Sequence, residues 1–155
     1  MKKELISITA AFFCLLTLAG TGKASERDLP KELYITDARD IVLAKVLEQH
    51  CTMIGDAGPY TIVTLQVIER FKGNQEEKKL VLILPGGTIG NSGIDVGGIQ
   101  DEFVTGTEVI VHTKMWSDGY LITLRSPLLV FDGLITKYKM NLSQFRELVK
   151  SVLSQ

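Results

Sequence analysis

Few residues in this 155-residue chain have the types and spacing that chemistry requires. His50 and Cys51 are adjacent, and His112 is the second of two histidines. Metal ligands drawn from one strand must share a face, whereas neighbours on a strand point to opposite faces. At best the set makes a three-ligand site scattered over two strands. The plainer expectation is a partly exposed histidine on each strand. A serine nucleophile would need a sharp Gly-x-Ser-x-Gly turn, which the sequence lacks, and Asn91-Ser92-Gly93 reads as an ordinary turn. Asp101 and Glu102 face different directions in an extended chain and read as a solvated loop rim. Glu76-Glu77-Lys78-Lys79 reads as a solvated hairpin tip. On this reading no catalytic, metal-ligating or cofactor-binding residue is assigned, and no cofactor is expected.

Binding chemistry has better candidates. Residues 85 to 102 carry Gly86, Gly87, Gly90, Gly93, Gly97 and Gly98, six of the 14 glycines. A phosphate cradle fails here, because the Gly-x-Gly-x-x-Gly order and a Gly-Lys-Ser/Thr ending are both missing. What remains is a long loop, and long loops in compact domains tend to be functional or mobile. Residues 80 to 94 carry no charge, so this segment can lie against a partner without stripping water from ions. Trp116, with Tyr120 close by, is the strongest single candidate, since exposed aromatics in hairpin loops anchor partners. The expected partner-binding set is therefore Pro85, Gly86, Gly87, Ile89, Ile94 and Phe103, together with Trp116 and Tyr120. The competing expectation is a loop that folds back as a cap, with Ile89 and Ile94 buried, and a Trp116 ring folded over the barrel mouth.

The elements that must hold these residues are mostly strands. Pro30 opens a weak helical turn through Thr36. The apolar, branched run Ile41 to Leu47 predicts a strand within Asp40 to His50. Tyr60 to Phe71 alternates cleanly, which places Val63, Leu65, Val67 and Phe71 on one face and Thr64 and Gln66 on the other. Lys72-Gly73-Asn74 turns the chain into a returning strand over Lys78 to Leu84. Thr107 to Thr113 and Gly119 to Arg125 predict two more strands, and Pro127 to Phe131 a short sixth. Leu142, Phe145, Leu148, Val149, Val152 and Leu153 then recur at helical spacing, predicting an amphipathic helix over Asn141 to Leu153. Asn141 with Gln144 matches a capping box, which also accounts for the formal glycosylation sequon Asn141-Leu142-Ser143. The fold expected is mostly β: a small five- or six-stranded OB-like barrel with a C-terminal amphipathic helix, since so small a sheet leaves open edges unless it curls.

Composition and termini set the compartment. With 45% hydrophobic and 23% charged residues the chain is not of disordered composition. A net charge of −1 excludes a basic nucleic-acid binder. Met1-Lys2-Lys3, the apolar run Leu5 to Leu18 and Gly22-Lys23-Ala24 have the order of a secretory signal peptide. Residues 1–24 are thus expected to be removed after Ala24, leaving 25–155 as one periplasmic or secreted domain that meets a membrane only through the signal peptide. The exported form keeps Cys51 as its one cysteine and cannot form an intrachain disulfide. A small buried apolar side chain is the expectation for Cys51, ahead of a reactive thiol or an intermolecular bridge.

One resemblance follows from particular segments. Ala38-x-Asp40-Ile41-Val42-Leu43, the strand Tyr60 to Val67 ending in Phe71-Lys72-Gly73, Pro85-Gly86-Gly87, and Phe103-x-x-Gly106-x-Glu108-Val109-Ile110-Val111 resemble a family of exported bacterial domains. That family shows a VLKG-like strand end, a PGG turn and an F-x-x-G-E-x-V strand entry; here Thr107 separates the usual Gly-Glu pair. The likeness spans roughly residues 38 to 132. These domains are similar in fold to the OB barrel of the tissue inhibitors of metalloproteinases, and some occur beside metalloprotease domains. The resemblance implies a non-catalytic binding or regulatory module acting on an exported protein such as a peptidase. It does not imply zinc chelation, because no cysteine lies near Ser25. Two other functions stay open: a small-ligand or glycan-binding barrel, and a hydrolase whose site is assembled from distant residues.

Overall fold

The computed structural model describes residues 31–56, 58–90, 92–94, 99–116 and 119–155. The expected signal peptide, residues 1–24, lies outside them. A short helix α1 (Lys31–Asp37) leads into two long strands, β1 (Asp40–Met53) and β2 (Pro59–Lys72). Strand β3 (Lys79–Pro85) returns antiparallel to β2. The glycine-rich segment then forms a small hairpin of its own, β4 (Gly87–Ile89) and β5 (Ser92–Ile94), and a 3-10 turn over Ile99–Glu102. Strands β6 (Glu108–Met115), β7 (Leu121–Thr123), β8 (Leu128–Phe131), β9 (Leu134–Ile135) and β10 (Met140–Asn141) follow. Helix α2 (Leu142–Leu153) ends the chain.

The fold is mostly β, as the alternation predicted, but the strand count and closure differ from expectation. Eight strands join one antiparallel sheet in the order β10-β9-β8-β6-β1-β2-β3, with β7 also paired to β6. The sheet is not closed: β3 and β10 are its ends. Beyond the ladder with β2, β3 runs beside β7, and no backbone ladder joins these two strands among the described residues.

Both faces of the sheet are buried over the first half of β1, Asp40 to Val46, which explains the apolar run there. Val42, Ala44 and Val46 enter one core with Val63, Leu65, Leu82, Val111 and Phe103. Ile41 and Leu43 enter a second core with Ile35, Ile110, Phe145 and Val149, beneath the helices. The ladder between β1 and β2 shifts register at Ile41/Val42, Leu43/Ala44 and Val46/Glu48. Such bulges sharpen twist and bend a long pair. They also move Phe71 off its expected face: Val67 packs on the first core, whereas Phe71 packs on the second. Strict period-2 alternation fails because the extra residues reverse its phase.

At the start of β1 the sheet buries a salt bridge. Arg70 Nη1 donates to Asp40 Oδ1 at 2.5 Å, and Thr113 Oγ1 donates to Asp40 Oδ2 at 3.1 Å. The second guanidinium nitrogen, Nη2, donates to the Glu77 carbonyl at 2.9 Å. A Cβ at position 73 would overlap the Asp40 carboxylate, so Gly73, at φ +110°, is required there.

Candidate functional site

An apolar cleft of about 320 Å³ lies on the outer side of the β3/β7 seam. The alternation of β2 and β3 builds one wall. Val63, Leu65, Leu80 and Leu82 turn inward, so their neighbours turn outward. Tyr60 lies opposite Pro85, and Ile62 lies opposite Ile83. Tyr60, Ile83 and Pro85 line the cleft, with Ile54 from the β1–β2 connection. The facing wall is the β6–β7 hairpin, which supplies Trp116, Tyr120 and Ile122. The Trp116 N–H donates to the Tyr120 carbonyl at 2.7 Å, and that of Gly119 donates to the Trp116 carbonyl at 3.0 Å. These bonds bring the backbones of the two aromatic residues together. Trp116 remains 52% and Tyr120 40% exposed, so the rings stand beside the cleft rather than folding into a core.

Of the residues singled out in the sequence, Pro85, Trp116 and Tyr120 come together here. Gly86 and Gly87 lie immediately beyond Pro85 and serve a structural purpose. The Gly86 carbonyl accepts from Thr61 Oγ1 at 2.9 Å. Gly87, at φ +133°, presses its backbone onto β1 and β2: a Cβ would come within 2.5 Å of Cys51 Sγ and 2.6 Å of Thr61 Oγ1. Ile89 is 39% exposed on the β4 strand and is not part of the lining. Ile94 closes the β4–β5 pair opposite Gly87 through its backbone, and its side chain lies outside the described residues. Phe103 is fully buried in the first core and faces no ligand.

Sequence reasoning missed Ile54, Tyr60, Ile83 and Ile122. A signal for Ile83 existed: Leu80-Val81-Leu82-Ile83-Leu84 is apolar at both parities, which marks a strand with two apolar faces. Neither Ile54 nor Ile122 carries such a mark, since each depends on how the hairpins approach one another.

The histidines and the cysteine differ in their surroundings. His50 is exposed and Cys51 half-buried, its sulfur packed against Gly87. His112 corrects the expectation of a partly exposed ring. It is 2% exposed, between the edges of Tyr34 and Phe145. Burial, and then the Arg125 guanidinium nearby, push its pKa down from 6.5 to about 3. Arg125 stacks 4.6 Å from the Tyr34 ring centre and 5.4 Å from that of Tyr138. Among the described residues no three His, Cys, Asp or Glu side chains are grouped so as to hold a metal ion.

No protein-family model matches the chain, and no curated protein is significantly similar to it.

Proposed function

We propose that this chain is an exported, non-catalytic binding module, and that its target seats on the cleft between the β2–β3 hairpin and the β6–β7 hairpin. One observation carries the reading. Three aromatic rings and a proline from distant parts of the sequence converge on one solvent-open apolar surface. Tyr60, Pro85, Trp116 and Tyr120 gain little for the fold by standing there half-wet. Aromatic side chains held rigidly at the edge of an apolar pocket are what recognition sites use as anchors. A cleft of this volume falls at the small end of ordinary ligand sites. The OB-like resemblance supports the same class, and an extracytoplasmic peptidase or another envelope protein is the kind of target it suggests.

Site-specific crosslinking tests the reading in the intact protein. A photoreactive phenylalanine analogue replaces Tyr120 in one sample and Phe131 in a control. Phe131 is 72% exposed and is not part of the cleft lining. The expected result is a discrete adduct from position 120 in the cell envelope and none from position 131. No adduct from 120, or the same adducts from both, overturns the proposal.

A further inference from the structure

We infer that a single buried water occupies a cavity beneath helix α2 and bridges Arg125 to His112. The cavity lies between the two helices and the sheet, away from the cleft. Ile35 of α1, Leu128 of β8, and Phe145 and Leu148 of α2 give it apolar walls. His112 of β6 and Arg125, from the β7–β8 connection, line it as well. Its volume is about 10 Å³, which is room for about one water. Two polar atoms on these lining residues lack partners. Arg125 Nε and His112 Nδ1 are both buried, and neither makes a hydrogen bond within the protein. Each gives up on folding the bonds that it made to solvent, and it regains none from the chain. Cavities that stay dry are lined by apolar atoms, whereas a gap that offers two polar partners holds a water. The His112 ring is packed between the edges of Tyr34 and Phe145, so it cannot swing out to find another partner.

The chemistry of the pair selects water over an ion. The guanidinium Nε carries a hydrogen and only donates, whereas a neutral imidazole has one N–H and one lone pair. Burial and the Arg125 charge keep His112 neutral, with its pKa lowered to about 3. The same positive charge favours a lone pair over an N–H where the ring meets the guanidinium. That leaves Nδ1 as the acceptor and puts the proton on Nε2. Water satisfies both groups, accepting from Nε–H and donating to Nδ1. A halide accepts from Nε–H but opposes the Nδ1 lone pair, and a metal cation opposes the guanidinium. The bridge ties the centre of β6 to the β7–β8 connection directly under α2.

Crystals of the purified protein, one set soaked in sodium bromide, test the assignment. The expected result is one water peak within about 3.2 Å of both Arg125 Nε and His112 Nδ1, with no bromide anomalous signal in the cavity. An empty cavity, a bromide peak there, or a water bonded to only one of the two atoms overturns the inference. Long-range proton–nitrogen NMR at neutral pH reads the same site in solution. Nε2 is expected to carry the proton and Nδ1 to show the signal of a hydrogen-bonded lone pair; a proton on Nδ1 overturns the inference. Arg125→Met removes the donor and keeps an apolar stem. In that variant the water peak is expected to vanish and the Nδ1 signal to move downfield. A water that persists unchanged overturns the bridge, and the measurements on the wild type decide the question if the variant does not fold.

Discussion

His112 holds the clearest pH dependence in the molecule. Its ring lies inside the second core's aromatic shell, facing Arg125, Tyr34 and Phe145. In the unfolded chain it binds a proton as pH falls through about 6.5; in the folded protein it does so only near 3. Between those values the unfolded state holds more protons, so acid destabilises the fold. Full stability from this group is present above about 6.5, and it declines by about 1.4 kcal/mol for each unit of pH within the window. His112→Gln removes the titration, so its denaturation free energy is expected to fall less steeply between pH 6.5 and 5 than that of the wild type. Parallel slopes in urea titrations would show that the buried ring does not titrate as described. The buried pair Asp40–Arg70 makes a second demand at this scale. Their side chains are 1% and 2% exposed. Arg70→Met removes the buried guanidinium from the Asp40 carboxylate and leaves it only Thr113 at 3.1 Å and the half-exposed Arg39 at 3.5 Å, which costs about 3–5 kcal/mol. The double variant Asp40→Asn/Arg70→Met should recover much of that loss. A double variant no more stable than Arg70→Met would show that the loss comes from packing rather than charge.

Among the elements, α2 depends most clearly on single side chains. Asn141 Oδ1 accepts from the Gln144 N–H at 2.8 Å, and Gln144 Oε1 accepts from the Asn141 N–H at 3.0 Å, closing the capping box. The Phe145 ring meets Phe71 edge-on at 5.2 Å between centres, and Arg146 makes a two-point ion pair with Glu69 at 2.7 and 2.9 Å. Phe145→Ala should therefore cost about 3–5 kcal/mol, read as a lowered urea midpoint. Asn141→Ala should cost only about 1 kcal/mol. A Phe145→Ala loss below that of Asn141→Ala would make α2 a surface appendage. This helix was readable in the sequence because its signals are local: 3.6-residue periodicity and a cap three residues apart. The strands β1 and β2 were readable for the same reason, through branched residues and alternation. Their faces were not, because register shifts depend on how two strands meet. Nor was the β4–β5 hairpin, since Gly87-Thr88-Ile89 and Ser92-Gly93-Ile94 are too short and too glycine-rich to show a period. The cleft was legible at Pro85, Trp116 and Tyr120, whose types stand out. It was illegible at Ile54 and Ile122, ordinary apolar residues whose role comes from the approach of one hairpin to another.

At the scale of the whole molecule, the unzipped seam between β3 and β7 sets how firmly the cleft is held. Antiparallel alternation fixes which backbone groups face it. Gly86 N–H bonds to the Pro59 carbonyl, so residues 80, 82 and 84 point their backbone groups at β2, and those of Val81 and Ile83 turn toward β7. Leu124 N–H bonds to the His112 carbonyl, so Leu121 and Thr123 turn theirs toward β3. The two rows approach without forming a ladder, and the hairpin stays in place through β6 and the buried Leu121 side chain. Local opening should therefore begin here rather than in the centre of the sheet, where β6 is paired on both sides. We expect the amide hydrogens of Val81, Ile83, Leu121 and Thr123 to exchange on the order of a hundredfold faster than those of Val109 and Ile110. A ligand seated in the cleft touches Ile83 and Pro85 on one bank and Tyr120 and Ile122 on the other, so it would bridge the seam. Exchange at those four amides should then slow on binding, while exchange at Val109 and Ile110 should follow only global stability. Hydrogen exchange read by NMR separates the possibilities. Equal protection at the seam and at β6 in the free protein would mean that β3 and β7 are held as tightly as a closed barrel, and the bridging role would fall with it.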